Sequence, residues 1–66
     1  MNLLVNGERE AVDDGATVAQ LVAALRCGTK GVAVAVNETV VPRSTWPVRR
    51  LEPGDRVEIL NAVQGG

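Results

Sequence analysis

The residues with the clearest potential for chemistry end the 66-residue sequence: Asn61-Ala62-Val63-Gln64-Gly65-Gly66. Two terminal glycines lose the most conformational entropy on ordering, so we expect residues 61–66 to form a flexible tail. Because glycines lack Cβ atoms, such a tail can thread a channel too narrow for other side chains. The carboxylate of Gly66 is then open to attack.

A free carboxylate is inert towards sulfur nucleophiles because its leaving group is poor. Activation as an acyl adenylate, with ATP held by another protein, lets a persulfide displace AMP. Reductive cleavage then leaves a thiocarboxylate at Gly66. At average glycine content, chance also produces a Gly-Gly ending in roughly one protein in 200. The dipeptide alone therefore does not distinguish a functional tail from an incidental one.

The composition argues against several other classes of chemistry. One Cys and no His leave a zinc site without its usual ligands and exclude an intramolecular disulfide. A net charge of −1 and a single aromatic residue argue against nucleic-acid binding. The sequence shows no signal peptide and no apolar run near the ~20 residues that span a bilayer. We expect a cytoplasmic protein that is not an enzyme and binds no cofactor, metal, nucleic acid or membrane.

Other side chains invite further interpretations. Cys27 has no evident activating base, so we expect a small structural residue rather than a thiol in a sulfur relay. Trp46 is expected to cover an edge of the core, with a partner-binding anchor as the alternative. Three arginines could form a basic patch that docks to an acidic region of a partner, and they could equally be solvated surface charges: Arg43, Arg49 and Arg50.

Turn residues and a capping motif predict the first half of the fold. Asn6-Gly7 predicts a hairpin between residues 3–5 and 8–12. The carboxylates of Asp13, Asp14 and Asp55 are expected to make local hydrogen bonds in two turns, 13–15 and 52–55. The main helix is predicted from a capping box, Thr17 with Gln20, an apolar stripe and a glycine stop: Val18, Leu21, Val22, Leu25 and Gly28.

The alternation of large apolar residues with small or charged ones predicts the remaining strands. Residues 31–37 alternate valine with small residues, and 56–60 place Val57 and Ile59 on the buried face. Two prolines limit residues 37–47 to a short edge strand, and residues 48–51 are predicted as another short strand. Leu60 then points to the opposite face, beside the root of the tail. We expect partner proteins to contact Leu60 and the tail residues Val63, Gln64 and Gly65.

An amphipathic helix must bury its stripe, and the only available cover is one face of a mixed sheet. We therefore predict an α+β domain at residues 1–60, with four to five strands packed on one main helix. The order of elements resembles the β-grasp, or ubiquitin-like, fold, and the order of strands in space is taken from that resemblance.

The whole chain resembles the ThiS family, the sulfur carriers of thiazole formation in thiamine biosynthesis. The shared segments are Asn6-Gly7, Thr17-Val18 with Leu21, Val34-Ala35-Val36-Asn37, Val41-Pro42-Arg43-Ser44 with Trp46, Gly54-Asp55-Arg56-Val57-Glu58-Ile59 and Gly65-Gly66. Two positions depart from the family pattern: Gln64 stands where many relatives have Gly or Ala, and Glu38 where other polar residues are common.

The resemblance implies a cycle that depends on partner proteins. An adenylyltransferase related to ubiquitin-activating enzymes adenylates Gly66 with its own ATP and metal. A cysteine desulfurase or another donor supplies sulfur, and thiazole synthase consumes the thiocarboxylate. The alternatives are a carrier for molybdopterin or cysteine synthesis, a ubiquitin-like modifier of lysines, and a plain binding module.

Overall fold

The computed structural model describes residues 1–25 and 31–61, which form a five-stranded sheet packed against one helix. The elements are strand β1 (Asn2–Val5), strand β2 (Glu8–Ala11), helix α1 (Val18–Ala24), strand β3 (Val32–Val36), strand β4 (Thr39–Val40), a 3-10 helix (Arg43–Thr45) and strand β5 (Arg56–Asn61). The sheet order is β2-β1-β5-β3-β4, with β1 and β5 parallel and the other neighbours antiparallel. This arrangement confirms the predicted β-grasp fold.

The hairpin between β1 and β2 turns where the sequence predicts. Asn6 and Gly7 both have positive φ, 51° and 84°, as the two central residues of a type I′ turn require. The register pairs Val5 with Glu8 and Leu3 with Glu10. β2 ends at Ala11, one residue before the predicted end.

Helix α1 begins with the predicted capping box. The backbone N–H of Gln20 donates to Thr17 Oγ1 at 3.2 Å, and the N–H of Thr17 donates to Gln20 Oε1 at 2.8 Å. The predicted stripe faces the sheet, with Val18, Leu21 and Val22 buried. Cys27 and the predicted stop at Gly28 lie outside the described residues.

The core is almost entirely aliphatic and lies between α1 and one face of the sheet. Trp46 joins it with 4% of its surface exposed, and its indole N–H donates to the carbonyl of Val41 at 3.0 Å. The expectation that Trp46 covers the core is confirmed. Its burial makes it unavailable as a surface anchor.

The predicted strand at residues 48–51 is wrong. In the described part of the chain this segment makes only an isolated bridge, between Arg50 and Thr17. The N–H groups of Val48 and Arg49 donate back to the carbonyl of Thr45, at 3.0 and 2.8 Å. Because these donors are used locally, the segment cannot align along a sheet edge. The short edge strand is β4, within the predicted 37–47 region.

Candidate functional site

The predicted site consists of Leu60 and the tail beyond it. Val63, Gln64, Gly65 and Gly66 lie outside the described residues, so their roles stay predictions. The strand β5 reaches Asn61, one residue into the predicted tail. The part of the candidate site that the structure describes is therefore the end of β5 and its surroundings.

β5 is the central strand of the sheet, but its two sides are paired to different lengths. On one side it pairs with β3 along its length, from Val36 opposite Val57 to Val32 opposite Asn61. On the other side its pairing with β1 stops at Val5 opposite Val57. Beyond Val57, the strand that leads to the tail has lost its main-chain partner on the β1 side.

The side chain of Asn6 occupies the place that β1 leaves. Its Oδ1 accepts the backbone N–H of Ile59 at 2.9 Å, and its Nδ2 donates to the carbonyl of the same residue at 3.2 Å. One carboxamide thus replaces the two hydrogen bonds that a continuation of β1 would have made to Ile59. The sequence singled out Asn6 only as a turn residue. Its contact with a residue 53 positions away carries no local signal.

Asn37 makes a corresponding contact at the other end of β5. Its Oδ1 accepts the N–H of Arg56 at 3.0 Å, and its Nδ2 donates to Asp55 Oδ1 at 3.0 Å. The other oxygen of Asp55 accepts the N–H of Glu52 at 2.9 Å, within the turn that precedes β5. The expectation that Asp55 makes local hydrogen bonds in a turn is confirmed.

Leu60 lies on the face of the sheet opposite the helix, as the alternation predicted. Its side chain is 69% exposed, and Val40 on the edge strand β4, which lies beyond β3, is 71% exposed. Together they border a shallow depression of about 120 Å³ on this open face. The residues that line the depression are Ala33, Val34, Ala35, Val40, Glu58 and Leu60. The end of β5 therefore presents an apolar surface with one carboxylate beside it.

The three arginines do not all stand free in solvent. The guanidinium of Arg43 donates to the carbonyl of Val32 at 3.0 Å and lies 5.1 Å from the centre of the Trp46 ring. Arg43 thereby ties the 3-10 helix to the start of β3, and Arg49 donates to the backbone carbonyl of Arg50. Arg43 therefore has a structural role, and a docking role for the three arginines stays a prediction.

Within residues 1–25 and 31–61, no group of three or more metal-ligating side chains comes together. Over the same residues, no buried side-chain nitrogen or oxygen lacks a hydrogen-bond partner. None of the helices described is long and apolar enough to cross a membrane.

Comparison with known proteins connects this geometry to a family. The model of the ThiS family matches residues 3–66. The chain is 30% identical over 66 residues to the sulfur carrier protein ThiS of Escherichia coli, and the match covers 100% of both chains. It is 33% identical over the same length to a thiazole synthase of Paramagnetospirillum magneticum, of which it covers 20%.

A solved structure shares the fold over its full length. The crystal structure of the thiamine biosynthesis protein ThiS from Geobacter metallireducens is 35% identical in sequence, with a TM-score of 0.84. The match covers 100% of each chain. This chain therefore belongs to the ThiS family, the sulfur carriers of thiamine biosynthesis.

Proposed function

We propose that this protein carries sulfur as a thiocarboxylate on Gly66 and delivers it for thiazole formation. The observation that supports this most directly is the match to a sulfur carrier along the whole length of both chains. The fold suits the role, because its central strand ends at Asn61, shortly before the Gly-Gly segment in the sequence. The body of the domain then serves to present that segment to other proteins.

The chemistry takes place at one carboxyl group. An oxygen of the Gly66 carboxylate attacks the α-phosphorus of ATP, and pyrophosphate leaves. The terminal sulfur of a persulfide attacks the acyl carbon, AMP leaves, and an acyl disulfide forms. A thiol reductant supplies two electrons to cleave the S–S bond, and the thiocarboxylate remains on Gly66.

The groups that catalyse these steps belong to partner proteins. An adenylyltransferase related to ubiquitin-activating enzymes supplies the ATP site and its metal, and a cysteine desulfurase or another donor supplies the persulfide. Thiazole synthase consumes the product. The 20% of a thiazole synthase chain that matches this protein supports that pairing, because the two components then occur in one polypeptide. In this proposal the protein is not an enzyme, binds no cofactor or metal, and works in the cytoplasm.

The open-face depression beside Leu60 is the proposed contact for the adenylyltransferase. Any protein that binds Gly66 must approach the end of β5, and the depression beside this end is bordered by Leu60 and Val40, each about 70% exposed. Complete burial of such a side chain stabilises a complex by about 1.5–3 kcal/mol. Leu60 lies six residues before Gly66 in the sequence, so one enzyme can contact both.

Intact-mass measurement tests the proposed function. The protein is incubated with the adenylyltransferase, ATP and a sulfur donor, beside a variant that carries one added residue after Gly66. We expect only the native chain to gain the mass of one sulfur in place of one oxygen, because the added residue displaces the reactive carboxyl. Equal sulfur incorporation in the extended variant would refute the mechanism. Isopeptide adducts on lysines would identify a modifier instead, and a thiocarboxylate that thiazole synthase cannot use would indicate another pathway.

A further inference from the structure

We propose that Asn6 is a positioning residue for sulfur loading, which fixes the point and direction at which the chain leaves the sheet towards Gly66. This proposal rests on the proposed function and assigns it a residue remote in sequence from the reactive end. The geometry that carries it is the pair of hydrogen bonds between the Asn6 carboxamide and the backbone of Ile59.

These hydrogen bonds occur where the parallel pairing runs out. The backbone N–H of Asn6 still donates to the carbonyl of Val57 at 2.8 Å, and the chain then reverses into the hairpin turn. Ile59 is the next residue of β5 that faces β1, since successive residues of a strand direct their N–H and C=O groups to opposite sides. The Asn6 carboxamide provides both the acceptor and the donor that this residue needs. Aspartate lacks the donor, and glycine lacks both groups.

The turn itself does not require asparagine at this position. Asn6 has a φ of 51°, a left-handed conformation that glycine adopts with less strain. A glycine here would therefore complete the type I′ turn equally well. The feature that distinguishes asparagine from glycine in this turn is its side chain, and that side chain binds β5. We therefore assign Asn6 a second role beyond the turn.

Ile59 matters because the exposed Leu60 follows it directly and β5 ends two residues later, at Asn61. Without Asn6, the end of the strand would be paired on the β3 side alone. Fraying of these residues would move both the docking surface and the start of the tail. A partner enzyme would then have to order them on binding, which weakens affinity.

Asn37 provides a matched control. It has the same φ of 51°, and its Oδ1 also accepts a backbone N–H of β5. The residue that it holds is Arg56, at the end of the strand remote from the tail. Substitution of either asparagine by glycine preserves the turn conformation and removes comparable hydrogen bonds. The two variants differ in which end of β5 they release.

Two measurements test the assignment on the variants N6G and N37G. Amide hydrogen exchange should accelerate about tenfold at Ile59 in N6G and at Arg56 in N37G, because each loses its side-chain acceptor. In steady-state adenylation by the adenylyltransferase, N6G should raise the KM for the carrier by about three- to tenfold with kcat little changed. N37G should leave both constants within about twofold.

The outcomes separate this proposal from the proposed function. Equal KM values for N6G and N37G, at equal stability, would reduce Asn6 to a structural residue. Unchanged exchange at Ile59 in N6G would refute the hydrogen-bonding role whatever the enzyme does. If the wild-type chain is not adenylated at all, the proposed function fails and the positioning role fails with it. The exchange data would then still establish whether Asn6 holds β5.

Discussion

Two hairpin turns bind the central strand at different points, and they differ in one residue. Asn6-Gly7 joins β1 to β2, and Asn37-Glu38 joins β3 to β4, each with its asparagine at a φ of 51°. The asparagines bind β5 through their side chains, one at Ile59 and the other at Arg56. The second turn residue is Gly7 at 84° in one and Glu38 at 71° in the other. A residue with a Cβ atom in this conformation costs roughly 1–2 kcal/mol.

In such a turn, different residues reverse the chain and bind β5. In both turns the first position holds the strand, and the asparagine is the same. The second position serves only the reversal, where glycine is the less strained choice. Both turns also border a second depression on the open face, of about 160 Å³, at the start of β5. It is lined by Leu4, Gly7, Glu38, Arg56, Val57 and Glu58.

The largest effect is expected when both asparagines are replaced. The double variant N6G/N37G loses four side-chain hydrogen bonds, each worth about 0.5–1.5 kcal/mol, and should lose about 2–6 kcal/mol of unfolding free energy. Ile59 and Arg56 lie about 10 Å apart along the strand, so the two single effects should add within about 0.5 kcal/mol. Urea denaturation of N6G, N37G and the double variant measures the three losses of unfolding free energy. A double-variant loss far from the sum would show that the two turns do not act independently.

A reciprocal exchange of the second turn residues should give smaller, opposite effects. Glu38→Gly relieves the left-handed strain but adds entropy to the unfolded chain, so it should stabilise the protein by about 0.5–1 kcal/mol. Gly7→Glu should destabilise it by about the same amount. Thermal denaturation of both variants provides the measurement.

Glu38→Gln is the control for charge, because it retains the Cβ atom and removes the carboxylate. Its stability should stay within about 0.5 kcal/mol of the native value. If Glu38→Gly and Glu38→Gln each lower the stability, the carboxylate stabilises the fold. The strain interpretation of this turn would then be wrong.

The parts of this fold that could be predicted are those encoded by neighbouring residues. Asn6-Gly7 predicted the first hairpin, the Thr17 capping box predicted the start of α1, and alternation placed Leu60 on the open face. Each prediction depends on residues within one turn or one strand of each other. The order of strands depends on contacts between distant segments, and it was available only from the family resemblance.

The failures have the same physical origin. Residues 48–51 have the composition of a strand, but two of their N–H groups bind back to Thr45, and two further backbone groups bind a segment that is distant in sequence. The N–H of Leu51 binds the carbonyl of Ala16, and the carbonyl of Arg49 accepts from Val18, at 2.8 and 2.9 Å. Likewise, the link between Asn6 and Ile59 depends on the parallel register of β1 with β5.

The smallest effect on stability, and the most specific effect on function, is expected at Leu60, on the end of β5 that Asn6 holds. Leu60→Ser removes an exposed side chain and should change the unfolding free energy by less than about 0.5 kcal/mol. Its KM for adenylation should rise about tenfold, since the proposed complex buries this side chain. Val48→Ser is the matched control, because Val48 is also exposed, at 76%, but lies in the turn after the 3-10 helix. Equal KM values for the two variants would place the enzyme's contact elsewhere, and holding the end of β5 would then serve only the tail.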